Sequence, residues 1–172
     1  VALAETAGFC QRADHLAGQR QEAAAHLRQV EQFRTFAAKA RPALLELGSV
    51  GPAQNRRNAV TPDPVLGACE EALAVFNVLG PGDWQRALAN SALSPAQIEE
   101  VRHTAHELLV TAAFRTARTD PARGLDLLDR AGRVREPGVG EWMLRMRWHR
   151  RLKDDAAADR AGEMMEKVAR EK

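Results

Sequence analysis

The sequence predicts an all-α protein in which one long N-terminal helix precedes stacked antiparallel helical hairpins. Three observations lead there: an apolar fraction rich in alanine and poor in aromatics, helix-start signals that recur along the chain, and a 34-residue offset in its second half. Hydrophobic residues fill 45% of the 172 positions, yet aromatics fill 5% and tyrosine is absent. That composition suits closely packed helices, because strands favour β-branched and aromatic side chains.

The length allows one ordinary domain or an elongated stack of helices. The start at Val1 rather than Met reads as a piece of a longer polypeptide. With 25 basic and 23 acidic side chains the formal net charge is +2, which gives no global reason for a nucleic-acid or membrane partner. No apolar run is long enough for a membrane span within the chain, and no secretory leader is visible. Cys10 and Cys69 fall on different predicted helices. They are expected as small buried thiols, with a disulfide as the alternative, and no Cys-x-x-Cys spacing suggests a metal. No cofactor is expected.

Residues 1–47 read as a long helix, continuous from about Ala2 to Arg41. Phe9, Leu16, Ala23, Val30, Ala37 and Leu44 recur every seven residues and so form a stripe. At the companion positions Ala13 and Leu27 fit a coiled coil, whereas Arg20 and Arg34 do not. A coiled coil and a long helix lying on its neighbours therefore both remain open. Pro42 lacks an amide donor, so a kink or restart is expected there. Residues 48–62, crowded with Gly48, Gly51, Pro52, Asn55, Asn58 and Pro62, read as a loop that separates the leading helix from residues 63–172.

In that second region Asp63-Pro64, Ser94-Pro95 and Asp120-Pro121 each place a side-chain acceptor at a cap and proline in the first turn. Gln97 three residues after Ser94 makes a capping box. The first helix presents Val65, Cys69, Leu73 and Phe76 and is expected to stop at Gly80. A short turn over Asp83 to Ala89 tucks Trp84 against a neighbour. The helix after Ser94 turns Ile98, Val101, Ala105, Leu108, Leu109 and Ala112 inward. Helices follow from Pro121 to about Val134, burying Leu125, Leu128 and Ala131, then from about Glu141 to Leu152 and Asp155 to Arg170.

The 34-residue offset maps Asp120 onto Asp154, Ala122 onto Ala156, Gly124 onto Ala158, Val134 onto Val168 and Leu108 onto Trp142. This period resembles that of the tetratricopeptide repeat, a helix-turn-helix unit in which small residues let paired helices approach. Two units, about His103 to Glu136 and Pro137 to Arg170, are implied. Trp142 and Ala131 match the repeat's pattern; Arg145, Met146 and Gly162 depart from it.

A broader resemblance rests on Gln32-Phe33-Arg34, the run Cys69 to Val78, Ile98-Glu99-Glu100, Glu107 to Val110, Gly124 to Ala131 and Leu152 to Ala158. Together they look like the helical region that follows the kinase domain in large bacterial serine/threonine protein kinases. The resemblance implies a parent that phosphorylates Ser or Thr. The kinase parts are absent from these residues: there is no glycine-rich phosphate loop, His-Arg-Asp loop or Asp-Phe-Gly motif.

Catalytic signals are weak. His103, His106 and Glu107 share one side of a helix, but their order matches neither familiar zinc-protease arrangement and reads as a polar strip. Asp63, Asp120, Asp154 and Asp155 read as helix-start residues. No serine or cysteine nucleophile has a base at a recognisable spacing.

The run from Arg145 to Lys153 is the main local feature, with Arg145, Arg147, Arg150, Arg151 and Lys153 around Trp148 and His149. If the first helix of each unit lines a concave groove, Met143, Arg147, Arg150 and Arg151 would face it. His106, Leu109, Ala113 and Thr116 would join from the preceding unit. Such a groove suits an acidic peptide or C-terminal carboxylate; the alternative is a solvated face partly neutralised by Asp154, Asp155 and Asp159. No nucleic acid is expected, since Trp148 alone offers a stacking surface. The expected function is a non-catalytic protein–protein interaction or scaffolding segment, the alternative a structural spacer that forms a homodimer through the N-terminal helix. The cytoplasm is the favoured location, with a membrane tether outside this chain left open.

Overall fold

The computed structural model describes the backbone of residues 2–47 and 63–171, and the side chains of residues 15–45 and 63–171. Among the described residues the fold is all-α, as expected. Its helices are α1 (Ala2–Leu47), α2 (Pro64–Val75), α3 (Trp84–Ala89), α4 (Pro95–Thr116), α5 (Pro121–Val134), α6 (Val139–Arg151) and α7 (Asp155–Arg170). The predicted loop at 48–62 and the side chains of Phe9 and Cys10 lie outside the described residues.

The caps are those the sequence signals. Asp63 Oδ1 accepts from the Val65 N–H at 3.0 Å, and Asp83, Asp120 and Asp154 cap α3, α5 and α7 in the same manner. Ser94 and Gln97 close the capping box reciprocally, at 3.3 Å and 2.9 Å. Two boundaries differ from expectation. α1 does not end at Pro42 but stays helical to Leu47. The missing N–H orphans the carbonyl one turn back, on Ala38, and both residues are exposed to water. α2 stops at Val75 rather than near Gly80, because Asn77 takes a left-handed conformation (φ 53°). The Val78 N–H then bonds Leu73 O and the Asn77 N–H bonds Ala74 O, each at 3.0 Å, the reciprocal closure of a Schellman turn. Lys153 (φ 59°) ends α6 by the same pairing. Neither turn uses glycine, so neither announces itself in the sequence.

α4 is the central element. It packs on α1, α2, α3 and α5, while α5 reaches α6 and α6 pairs with α7. Val101, Ala105, Leu108, Leu109, Ala112 and Ala113 of α4 are buried, beside Cys69 and Leu73 of α2 and Leu128 and Ala131 of α5. α1 contributes Phe36, Ala40 and Ala43, with Phe36 meeting Phe76 edge to face at 5.3 Å. Each large apolar side chain so buried stabilises the fold by about 1.5–3 kcal/mol. The seven-residue stripe of α1 is not this core face: Leu16 and Ala23 are exposed, and Val30, Ala37 and Leu44 are half-buried at its flank.

Gly124 fixes how closely α5 approaches α4. A Cβ there would lie 2.6 Å from Ala117 Cβ and 3.1 Å from the Ala113 carbonyl. Gly162 of α7 has more room, with Met146 Sδ at 3.6 Å. Gly124→Ala is expected to lower unfolding stability by about 1–2 kcal/mol, overpacking outweighing the gain in helix propensity. Gly162→Ala should raise it by up to about 1 kcal/mol. Urea unfolding of the two variants tests the contrast.

Candidate functional site

An open groove of about 470 Å³ runs between α4 and α6 where the end of α1 meets them. Its walls are Leu44, Val110, Phe114 and Leu144, with Glu107 and Thr111 beside them and His106 and Glu141 at its floor. Val110 and Phe114 lie one helical turn apart and project on the side of α4 opposite its core face. Phe114 is 49% exposed, and Met143 and Leu45 are also exposed.

The floor is polar and buried. His106 Nε2 and Glu141 Oε2 stand 3.4 Å apart, and neither atom makes an aligned hydrogen bond. Glu141 Oε1 accepts the Gly138 N–H at 3.3 Å, which also secures the start of α6. Burial pushes the Glu141 carboxyl up; the adjacent His106, the Gly138 N–H and nearby Arg145 together outweigh it and hold the group below its ordinary value. This pair joins α4 to α6. His103 turns elsewhere, to Glu107 at 3.4 Å and the Arg135 guanidinium at 3.2 Å. Among the described residues no three His, Cys, Asp or Glu side chains gather as metal ligands.

The expected groove residues divide. His106 lies in the groove. Leu109 and Ala113 are fully buried and Thr116 nearly so, which corrects their placement. The groove face of α4 is displaced by one residue, from Leu109 and Ala113 to Val110 and Phe114, because α5 covers the former pair. Arg151 is also corrected: its Nη1 donates to the Ala117 carbonyl at 2.7 Å and its Nη2 to that of Arg118 at 3.5 Å, satisfying acceptors at the end of α4. Met143, Arg147 and Arg150 form an exposed strip of α6, and among the described residues neither arginine has an ion pair.

Arg145, one of the three departures from the repeat pattern, is buried. Its guanidinium donates to Asp129 and, at 2.7 Å, to the Leu128 carbonyl, and it lies 5.3 Å from the Trp142 ring centre. It thus fastens α6 to α5. Glu141, Leu44 and Phe114 were missed in the sequence because nothing local marks a residue that meets its partner across three helices. The spacing of Val110 and Phe114 was the available signal.

Cys69 is fully buried and unpaired. Burial pushes its thiol up from 9.0 to about 11; Asp63 adds to the rise and Arg115 opposes it. Among the described residues no helix is long and apolar enough to cross a membrane. No family model, curated protein or solved structure matches the chain.

Two outcomes follow from these burials. Arg145→Ala removes the hydrogen bonds to Asp129 and the Leu128 carbonyl that fasten α6 to α5, and should cost about 2 kcal/mol in urea unfolding, against less than about 0.5 kcal/mol for exposed Arg147→Ala. The folded chain also holds the Cys69 proton longer than the unfolded chain does. That contribution is full below pH 9.0 and is lost as pH rises towards 11. Stability measured across this window should decline, by up to roughly 2–3 kcal/mol, and decline less in Cys69→Ala.

Proposed function

We propose that this chain is a non-catalytic protein–protein interaction segment, a tetratricopeptide-like helical arm of a bacterial serine/threonine kinase. The reading of parent and repeat rests on the sequence resemblance and on the 34-residue spacing of the Asp120 and Asp154 caps. The binding role rests on one observation: an open, largely apolar groove between α4 and α6.

The groove is apolar where the sequence suggested a basic lining, and Arg147 and Arg150 are exposed on α6 outside that lining. An amphipathic acidic helix would set its apolar side against Val110, Phe114 and Leu144 and reach with its carboxylates towards Arg147, one turn along α6 from Leu144. The proposed partner is therefore a protein presenting an acidic amphipathic segment, bound without covalent chemistry and without a cofactor. An ATP-turnover assay on this chain should give no activity.

Fluorescence anisotropy with a labelled acidic amphipathic peptide tests the assignment. Phe114→Asp should weaken binding more than about tenfold, since one buried aromatic anchor is worth 2 kcal/mol or so at an interface. Arg147→Glu with Arg150→Glu should weaken it several-fold and flatten its salt dependence. Unchanged affinity in both variants rejects the groove. A second reading, a spacer that pairs through α1, is favoured by the exposure of Leu16 and Leu27.

A further inference from the structure

α1 has two apolar faces, and the body of the protein uses one of them. The core takes Phe33, Phe36, Ala40 and Ala43, and Gln29 accepts the Ala92 N–H. The seven-residue stripe lies about 100° round the helix from that face. Its Ala37 and Leu44 edge a second groove, of about 580 Å³, between α1 and α4, with Phe33, Arg34, Arg41 and Glu100 at its walls. Towards the N-terminus the stripe is bare: from His15 to Arg28 every residue but Ala25 is exposed, with Leu16 at 54% and Leu27 at 68%. α1 is unbroken between Leu16 and Leu44, roughly 42 Å of rigid helix. The bare half therefore cannot fold back onto its own groove.

We infer that two copies of this chain pair antiparallel along α1, with the two-fold axis crossing between Arg28 and Val30, so that the bare half of each lies in the α1–α4 groove of the other. In this register Leu16 comes level with residues 41–44 of the second copy, Ala23 with 34–37 and Leu27 with 30–33. The arginines at the companion positions select the direction. A parallel pair sets Arg20 beside Arg20 and Arg34 beside Arg34, like charges in the seam. The antiparallel pair sets Arg34 against Ala23–Ala25 and Arg20 against Ala37, Ala38 and Ala40, with Lys39 of that stretch turned aside to Glu71 at 3.2 Å. It also brings Glu22 level with residues 35–38, between Arg34 and Arg41, neither of which has an ion pair among the described residues. The overlap of two helices about 10 Å wide, with the groove wall added, buries on the order of 1,000 Å², the size that a specific interface needs. A two-fold pairing of one patch with itself closes, so it gives a dimer and no filament.

This deepens the pairing reading; the two grooves share Leu44 and no other lining residue, so the peptide test at Phe114 and the pairing test at Leu16 and Leu27 can fail separately. Light scattering on the whole chain at micromolar concentration should show a dimer. Leu16→Glu with Leu27→Glu, both at exposed positions, should raise its dissociation constant by more than about a hundredfold with helix content unchanged. Direction is read on a Cys10→Ser background under mild oxidation. Val30→Cys should cross-link to its own copy, Leu16→Cys should not, and Leu16→Cys with Leu44→Cys should. A monomeric wild-type chain, a dimer that survives the two glutamates, or efficient self-cross-linking of Leu16→Cys would overturn the inference.

Discussion

Close approach between α4 and α5 is the constraint on which the rest of the structure depends. Gly124 leaves no room for even a methyl group against Ala117 and the Ala113 carbonyl. Small residues recur elsewhere on α4 as well, with Ala105 and Ala112 buried in the core. An alanine-rich interface gives up side-chain volume and recovers dispersion through proximity, which works only while the backbones stay close. Setting α5 at this distance also brings Leu128 and Asp129 to face α6, where Arg145 meets both.

Arginines then act as braces between the helices. Arg145 reaches the Leu128 carbonyl, Arg151 that of Ala117 and Arg130 that of Leu79, while Arg115 lies 3.5 Å from the Asp63 carboxylate. Several of these acceptors sit at or just beyond helix ends, where carbonyls have no partner within the helix. The guanidinium suits the task, because its planar fork donates in several directions and stays charged when partly buried. This use changes the meaning of the basic run in α6. Two of its arginines hold helices together, and Arg147 and Arg150 stay exposed.

Most of the architecture was readable from local signals. Asp63, Ser94, Asp120 and Asp154 mark helix starts through hydrogen bonds that span at most three residues, and the structure contains each of them. Helix ends were less readable. Asn77 and Lys153 adopt left-handed turns that glycine would have flagged, and the α2 boundary was misplaced for that reason. The groove was read least well. Its position depends on which side of α4 receives α5, and a rotation of one residue exchanges Leu109 for Val110. His106 and Glu141 are 35 positions apart in sequence, so no local spacing announces their pairing across the groove floor.

α1 separates two causes that usually act together. Its backbone between His15 and Arg28 needs no tertiary burial to be helical. The segment extends from a turn already anchored by Phe33 and Phe36, so the cost of nucleation is carried elsewhere, and Ala17, Ala23, Ala24 and Ala25 propagate readily. Propensity does not account for the leucines. Lysine or glutamine at positions 16 and 27 would serve the helix almost as well and would leave no apolar surface in water. A single exposed leucine means little. Leu16, however, lies in line with Ala23, Val30, Ala37 and Leu44, on a stripe that the core leaves aside in favour of the neighbouring face. A seven-residue period kept along a helix beyond the body that supports it is something helix propensity leaves unexplained, and it is the observation on which the proposed pairing rests.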